Sequence, residues 1–350
     1  MRRPHFFLQR AVPIVLTFLC SSVAIAGSTY TNFDVPGSVN TQATSINATG
    51  QIAGVWSDFA NHGFIRLVNG NFITFDVPSA TSTVPMAINS SGRVVGYSID
   101  PAGGTHGFSR GLDGTIATFD VPRVYGTVAL AINDAGEVTG YYYVTAQTQS
   151  AFVRGVNGKI TTFAAPGSSE YLFGGTIAVS INSAGAIAGY YTDSIGVWHG
   201  YVRDASGNFT IFDVPASGAG QYQGTLSASM NDAGYVTGFY RDNANVAHGF
   251  VRDVAGNITS FDGPEAGVQA TYGSSINNRG EITGTYIAST GMSRGFIRES
   301  SGLITAFRDP DSVGGGTFPS AINDNGKITG EYRIGKSNSY VHGFLQNRQY

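Results

Sequence analysis

Apolar and polar residues alternate in short runs along most of the chain, which is the pattern of half-buried β-strands. In one stretch four such runs follow each other, at Val84 to Asn89, Arg93 to Tyr97, His106 to Arg110 and Thr115 to Val121. Turn-forming residues separate the runs, as in Asn89-Ser90-Ser91-Gly92, where Asn can cap the turn and Gly supplies a positive φ. The pattern predicts units of four short strands joined by hairpins.

This four-strand pattern recurs along the chain with a period of 42 to 49 residues. An I-N pair marks each copy, at Ile46-Asn47, Ile88-Asn89, Ile132-Asn133, Ile181-Asn182, Met230-Asn231, Ile276-Asn277 and Ile322-Asn323. A T-G-Y block, an H-G-F-x-R block and an F-D-V-P block follow each pair with small variations. A period of this length, in a chain rich in β-branched and aromatic residues, is typical of a β-propeller or another repeat array.

The two ends of the chain each hold part of one unit. The chain starts with an F-D-V-P block that ends at Pro36, and it finishes with an H-G-F block at His342. We therefore predict an all-β fold, a seven-bladed β-propeller of four-stranded blades. The ring would be closed by pairing of the N- and C-terminal strands, Ser28 to Val35 with Val341 to Gln346. An open β-solenoid is the alternative, but it does not explain the split unit.

The distances between the blocks predict which end of the sheets carries long loops. The I-N Asn and the T-G Gly are always 7 residues apart, and the H-G-F and F-D-V-P blocks also keep a constant spacing. The other two connections vary in length. Constant spacings indicate tight hairpins and variable ones indicate loops, so both variable connections lie at one end, here called the loop-rich face. The opposite end is called the hairpin face.

Composition and charge add limits on function and location. The chain has 350 residues, of which 48 are Gly and 12% are charged, and its net charge of -3 gives no case for a nucleic-acid partner.

Residues 1–26 combine three Arg, an apolar run and Ala24-Ile25-Ala26, as in a bacterial signal peptide. We expect cleavage, a secreted or periplasmic protein without membrane insertion, and one domain over residues 27–350. We also expect a monomer without a cofactor.

The repeated H-G-F, I-N-x-x-G and T-G-Y blocks resemble the bacterial extracellular repeats of the HAF family, with Gly where the family name has Ala. The resemblance covers nearly the whole chain after residue 26. It implies export and an array of repeats. It implies no reaction and no catalytic residue.

Five histidines each begin an H-G-F block, and each has a matching Asp in the F-D-V-P block. The pairs are His62 and Asp76, His106 and Asp120, His199 and Asp213, His248 and Asp262, and, across the chain ends, His342 and Asp34. In one unit Ser150 and Ala164 replace both partners together. A catalytic dyad or a metal ring is one interpretation. We favour structural pairs between the two outer strands, because catalysis seldom needs five copies and H-E-x-x-H and C-x-x-C spacings are absent.

Two other residue sets have both a functional and a structural interpretation. The Arg that closes each H-G-F-x-R block could bind anions, but we expect it to find local partners. Aromatic residues precede the I-N strands, in segments that we assign to the loop-rich face: Tyr125, Tyr171, Phe173, Tyr222, Tyr272 and Phe318. If exposed, they would suit a glycan or protein partner; otherwise they fill gaps between blades.

The sequence predicts an exported, non-catalytic binding or scaffold module that presents its loop-rich face to a glycan or extracellular protein. Two alternatives stay open. One is a polysaccharide hydrolase or lyase on the same scaffold, since propellers host enzymes whose catalytic residues are scattered. The other is a purely structural cell-surface repeat protein.

Overall fold

The computed structural model describes residues 28–169, 174–265, 267–335 and 340–348, and over these ranges the chain is all β, with 28 strands. No helix in these ranges is long and apolar enough to cross a membrane. The predicted signal peptide, 1–26, lies outside the described residues, as do Tyr171 and Phe173.

Each sequence repeat contributes strands of four kinds. The first kind ends in the I-N pair: β2 (Asn40–Ile46), β6 (Ser82–Ile88), β10 (Gly126–Ile132), β14 (Gly175–Ile181), β18 (Gly224–Met230), β22 (Ala270–Ile276) and β26 (Gly314–Ile322). The second kind holds T-G-Y: β3 (Ile52–Ser57), β7 (Val94–Ile99), β11 (Val138–Tyr143), β15 (Ile187–Thr192), β19 (Val236–Arg241), β23 (Ile282–Ile287) and β27 (Ile328–Ile334).

The third kind holds H-G-F-x-R: β4 (Asn61–Arg66), β8 (Thr105–Arg110), β12 (Gln149–Arg154), β16 (Trp198–Arg203), β20 (Ala247–Arg252), β24 (Ser293–Arg298) and β28 (Tyr340–Asn347). The fourth kind leads into F-D-V-P: β1 (Thr29–Phe33), β5 (Phe72–Phe75), β9 (Ile116–Phe119), β13 (Ile160–Phe163), β17 (Phe209–Phe212), β21 (Ile258–Phe261) and β25 (Ile304–Phe307).

Strands that follow each other within a repeat pair antiparallel, as β2, β3, β4 and β5 do. The first strand of the chain, β1, pairs with the last strand, β28, with Phe33 opposite Gly343. The I-N strands also contact each other, and β2 contacts both β6 and β26. The strand order within repeats therefore agrees with the pattern of hairpins and loops in the sequence.

Two glycines of the repeat are required because neighbouring atoms lie too close to leave room for a Cβ. A Cβ on Gly54, in the T-G-Y block, would lie 2.2 Å from the carbonyl oxygen of Gln42 on the neighbouring strand. A Cβ on Gly63, in the H-G-F block, would lie 2.6 Å from the ring of Phe75. Any side chain at these positions would push strands apart, which explains the recurrence of both glycines.

The core is formed between repeats. The aromatic residue of each H-G-F block is fully buried, as Phe108 and Phe152 are. In six repeats it meets the Phe of the preceding F-D-V-P block edge-on, with ring centroids 6.1 Å apart for Phe75 and Phe108. Each repeat thus completes the core of the next one, and burial of such a side chain contributes about 1.5 to 3 kcal/mol.

The repeated Arg lies in the same interface. Its guanidinium stacks on the Phe of the preceding F-D-V-P block, as Arg110 does on Phe75 at 5.0 Å from the ring centroid. The same contact occurs for Arg66, Arg154, Arg203, Arg252 and Arg298. Local carbonyl oxygens also accept from several of these residues, but the cation–π contact between repeats could not be foreseen from the block itself.

Candidate functional site

The structure brings all five His–Asp pairs together at the loop-rich side of the sheets. In each pair the imidazole Nδ1 atom lies 2.8 to 3.0 Å from the nearest carboxylate oxygen. The pairs are His62–Asp76, His106–Asp120, His199–Asp213, His248–Asp262 and His342–Asp34. In four pairs the imidazole also stacks on an aromatic ring of the neighbouring strand: Trp56, Tyr191, Tyr240 or Tyr332. Each of these histidines is thus fixed on two sides.

A second carboxylate reaches several of these histidines and was not identified from the sequence. Asp100 Oδ2 lies 3.2 Å from His106 Nε2, and Asp193 holds the same position beside His199 at 3.4 Å. The hydrogen bonds that the imidazole donates to Asp120 and then to Asp100 raise the pKa of His106 above its usual value. The sequence signal was an Asp at the start of the variable loop, six residues before the His.

The hairpin face holds a cavity of about 240 Å³ lined by the seven I-N pairs. Its asparagines are buried, and Asn47 Nδ2 donates to the carbonyl oxygen of Asn89 at 3.0 Å. Asn323 donates in the same way to Asn47 at 3.0 Å. At the rim, Asp134 accepts a hydrogen bond from the backbone N–H of Ser90. These polar groups satisfy each other's hydrogen bonds, so we assign the cavity a structural role.

The aromatic residues assigned to the loop-rich face separate into different groups. Tyr125 and Tyr222 lie in loops and are exposed, by 71% and 50%. Tyr272 and Phe318 were expected in loops but lie inside the strands β22 and β26, because these strands begin earlier than the I-N spacing suggested. Both are half-buried, Tyr272 against Phe239. The loop assignment for these two residues was therefore wrong.

Three side chains form an aromatic and basic group around Tyr222 at the loop-rich face. The ring centroids of Trp198 and Tyr222 lie 6.2 Å apart, and the Arg241 guanidinium stacks on Trp198 at 5.8 Å. We call these three residues the Tyr222 cluster. Trp198 and Arg241 were not identified from the sequence as candidates. Trp198 begins the ordinary strand β16 and Arg241 ends the ordinary strand β19, and only the fold brings them to Tyr222.

Backbone bonds between loops hold the Tyr222 cluster in place. The Tyr222 N–H donates to Gly196 O and the Trp198 N–H donates to Gln223 O, both at 2.9 Å. Arg241 Nη1 donates to Asn245 Oδ1 at 3.1 Å. Tyr222 itself has a φ of 62°, which costs a bulky residue about 1 to 3 kcal/mol. An exposed Tyr is thus kept in a strained conformation by its neighbours, a feature that is more frequent at binding sites than elsewhere.

The Tyr222 cluster presents two aromatic faces, a guanidinium and nearby amide groups. In the described part of the chain, no group of three or more His, Cys, Asp or Glu side chains is arranged to hold a metal ion.

No family model matches the chain, and no curated protein is similar to it in sequence. Several solved structures are similar in fold. Virginiamycin B lyase from Staphylococcus aureus has a TM-score of 0.56 at 14% identity, over 91% of this chain and 99% of that one. A prolyl endopeptidase has a TM-score of 0.60 at 12% identity, over 87% of this chain and 48% of its own.

Acylaminoacyl peptidase from Pyrococcus horikoshii has a TM-score of 0.53 at 10% identity, over 84% of this chain and 49% of that one. The chain thus spans about half the length of the two peptidases. At identities this low, structural similarity shows the fold alone. These similarities support the β-propeller character of the chain.

Proposed function

We propose that the repeats are the seven blades of a closed β-propeller. Three observations support closure of the ring: β1 pairs with β28, β2 contacts β26, and Asn323 Nδ2 donates to the carbonyl oxygen of Asn47. Neighbouring repeats elsewhere are joined by the same bond, in which an I-N Asn donates to the carbonyl oxygen of the next I-N Asn. Here it joins the last repeat to the first. A closed ring is a rigid base on which loops can vary at small cost to the fold.

On this base, the chain acts as an exported, non-catalytic module that binds a glycan at the loop-rich face, through the Tyr222 cluster. The strained backbone of the exposed Tyr222, held beside Trp198, is the observation that carries this proposal. Export to the periplasm or the medium rests on the character of residues 1–26.

The chemistry of the cluster matches a sugar. An exposed aromatic face can pack against the C–H face of a pyranose ring, with the polar edge of the ring left free. Arg241 stacks on Trp198, Gln223 follows Tyr222 in the chain, and Asn245 accepts a hydrogen bond from Arg241. These groups can exchange hydrogen bonds with the hydroxyl groups of a sugar.

A glycan array tests this proposal. We expect the protein without residues 1–27 to bind a limited set of glycans, and Tyr222→Ala to weaken that binding by about tenfold or more, the loss of about 1.4 kcal/mol. Tyr235→Ala is the matched control, since Tyr235 is also an exposed tyrosine but lies at the hairpin face. Its binding should equal that of the wild type.

Two results would contradict the proposal. If Tyr235→Ala removes binding while Tyr222→Ala does not, the ligand lies at the hairpin face. If no glycan binds but an extracellular protein does, the partner class is wrong.

A further inference from the structure

Two repeats lack a His–Asp pair. In one of them Arg294 stands at the His position and pairs with Glu265. The other, with Ser150 and Ala164, has a cavity in place of the pair. In that repeat Ser150 lies opposite Tyr142 across the strand pair β11–β12. This is the register in which His199 lies opposite Tyr191, and His248 opposite Tyr240. Where the imidazole and carboxylate are missing, a cavity of about 460 Å³ is lined by Tyr142, Ser150 and Ala164, among other residues.

The other repeats indicate what would fit this space. His199 and His248 stack on their tyrosines with ring centroids 4.9 and 5.1 Å apart and planes tilted by 25°. Tyr142 has no imidazole partner in its own repeat, because Ser150 stands at that position. The cavity is also within the range of small-molecule sites, which is about 300 to 1,000 Å³.

The polar groups of the cavity restrict the ligand further. Among the residues that the structure describes, its lining includes hydroxyls of Ser, Thr and Tyr and the amide of Gln149, but no charged side chain. Ser150 Oγ donates its hydrogen to the carbonyl oxygen of Phe163 at 2.9 Å. A hydroxyl has only one hydrogen to give, so Ser150 can offer a ligand only an acceptor. A neutral ring that carries an N–H donor fits this arrangement, and a charged ring would find no counter-ion among the described lining residues.

We propose that this cavity binds a small, neutral, planar heteroaromatic ring, which stacks on Tyr142 and donates an N–H hydrogen bond to Ser150 Oγ. The ligand takes the place that an imidazole side chain fills in the sister repeats. This site is separate from the Tyr222 cluster, and the two can be tested independently.

Imidazole itself is the probe, at about pH 8.5, where it is neutral. We expect NMR titration to show saturable binding at one site, with a Kd on the order of 1 mM for so small a ligand. The double variant Ser150→His with Ala164→Asp restores the sequence of the sister repeats and should fill the cavity, weakening binding at least tenfold. Tyr142→Leu removes the stacking ring and should weaken binding about fivefold or more.

The reverse exchange keeps the proposal falsifiable even if the filled variant folds poorly. His248→Ser with Asp262→Ala opens the same space beside Tyr240 in another repeat, and the number of imidazole sites should rise from one to two. Three results would overturn the proposal: no saturable binding by the wild type, unchanged affinity in the folded filled variant, or a single site in the opened variant.

Discussion

Single residues recur in this chain because each makes the same bond in every repeat. Thr41 Oγ accepts a hydrogen bond from the buried backbone N–H of Val35 at 3.1 Å, and Thr127 does the same for Val121 at 3.0 Å. Both threonines are fully buried. An unpaired N–H at these positions would cost about 1 to 3 kcal/mol, which accounts for a Thr at this position in the repeat.

The His–Asp pairs predict a pH dependence of stability. The hydrogen bond that His106 donates to Asp120 raises the pKa of His106 above its usual 6.5. A group whose pKa is higher in the folded state stabilises the fold fully below its unfolded pKa, and this contribution is lost as the pH rises through the folded pKa. His106→Gln should therefore cost more stability at about pH 6 than at about pH 9. Urea unfolding of both proteins at several pH values measures this difference.

The same pair can be followed directly by NMR. We expect a pKa for His106 above 6.5, and a lower one after Asp120→Asn, because the first of its two carboxylate partners is then neutral. A pKa at or below the usual value in the wild type would contradict this account.

At the scale of strands, much of the architecture is predictable from the sequence. Hairpins and loops follow from constant and variable spacings, and strand order follows from them. The N- and C-terminal pairing was also expected, and β1 does pair with β28. The resemblance to HAF repeats stays a prediction.

The candidate site was much less predictable. Tyr222 was named because it precedes an I-N strand, but the same rule misplaced Tyr272 and Phe318 in loops. Trp198 and Arg241 lie in two different repeats, so the spacing of the blocks gives no reason to pair them. Backbone hydrogen bonds between loops bring them together. Repetition predicts what repeats share. A site that occurs once depends on loops that differ, and no pattern within the chain describes them.

Contacts between repeats predict the cost of removing the recurring Arg. Arg110→Gln should lower the free energy of unfolding by about 0.5 to 2 kcal/mol, because the guanidinium that stacks on Phe75 is lost. Arg93→Gln is the control, since Arg93 is exposed, and it should change stability by less than about 0.5 kcal/mol. Denaturant unfolding compares the two variants. Equal effects would show that the contact between repeats contributes nothing specific.

For the molecule as a whole, the two chain ends pair as strands and pack into one core cluster. Phe33 and Val35 are buried and pack in the same core cluster as Phe64 of another repeat. The ends of the chain thus complete a core that neither end forms alone.

Deleting residues 28–36 should lower the free energy of unfolding by at least about 3 to 5 kcal/mol, the cost of losing one buried Phe. The comparison is a chain that begins at residue 28, and thermal or urea unfolding measures the loss. Unfolding with the same midpoint and the same slope in both chains would contradict ring closure.

We propose that the scaffold holds the exposed Tyr222 at a strained, positive φ because its ring binds a glycan. Tyr222→Asn tests this claim most directly, because Asn tolerates a positive φ far better than Tyr but lacks the aromatic ring. Calorimetric titration with the best glycan from the array, and thermal unfolding of the same samples, would be compared with the wild type. We expect unchanged or higher stability together with at least tenfold weaker binding. A variant that binds the glycan as tightly as the wild type would contradict the account.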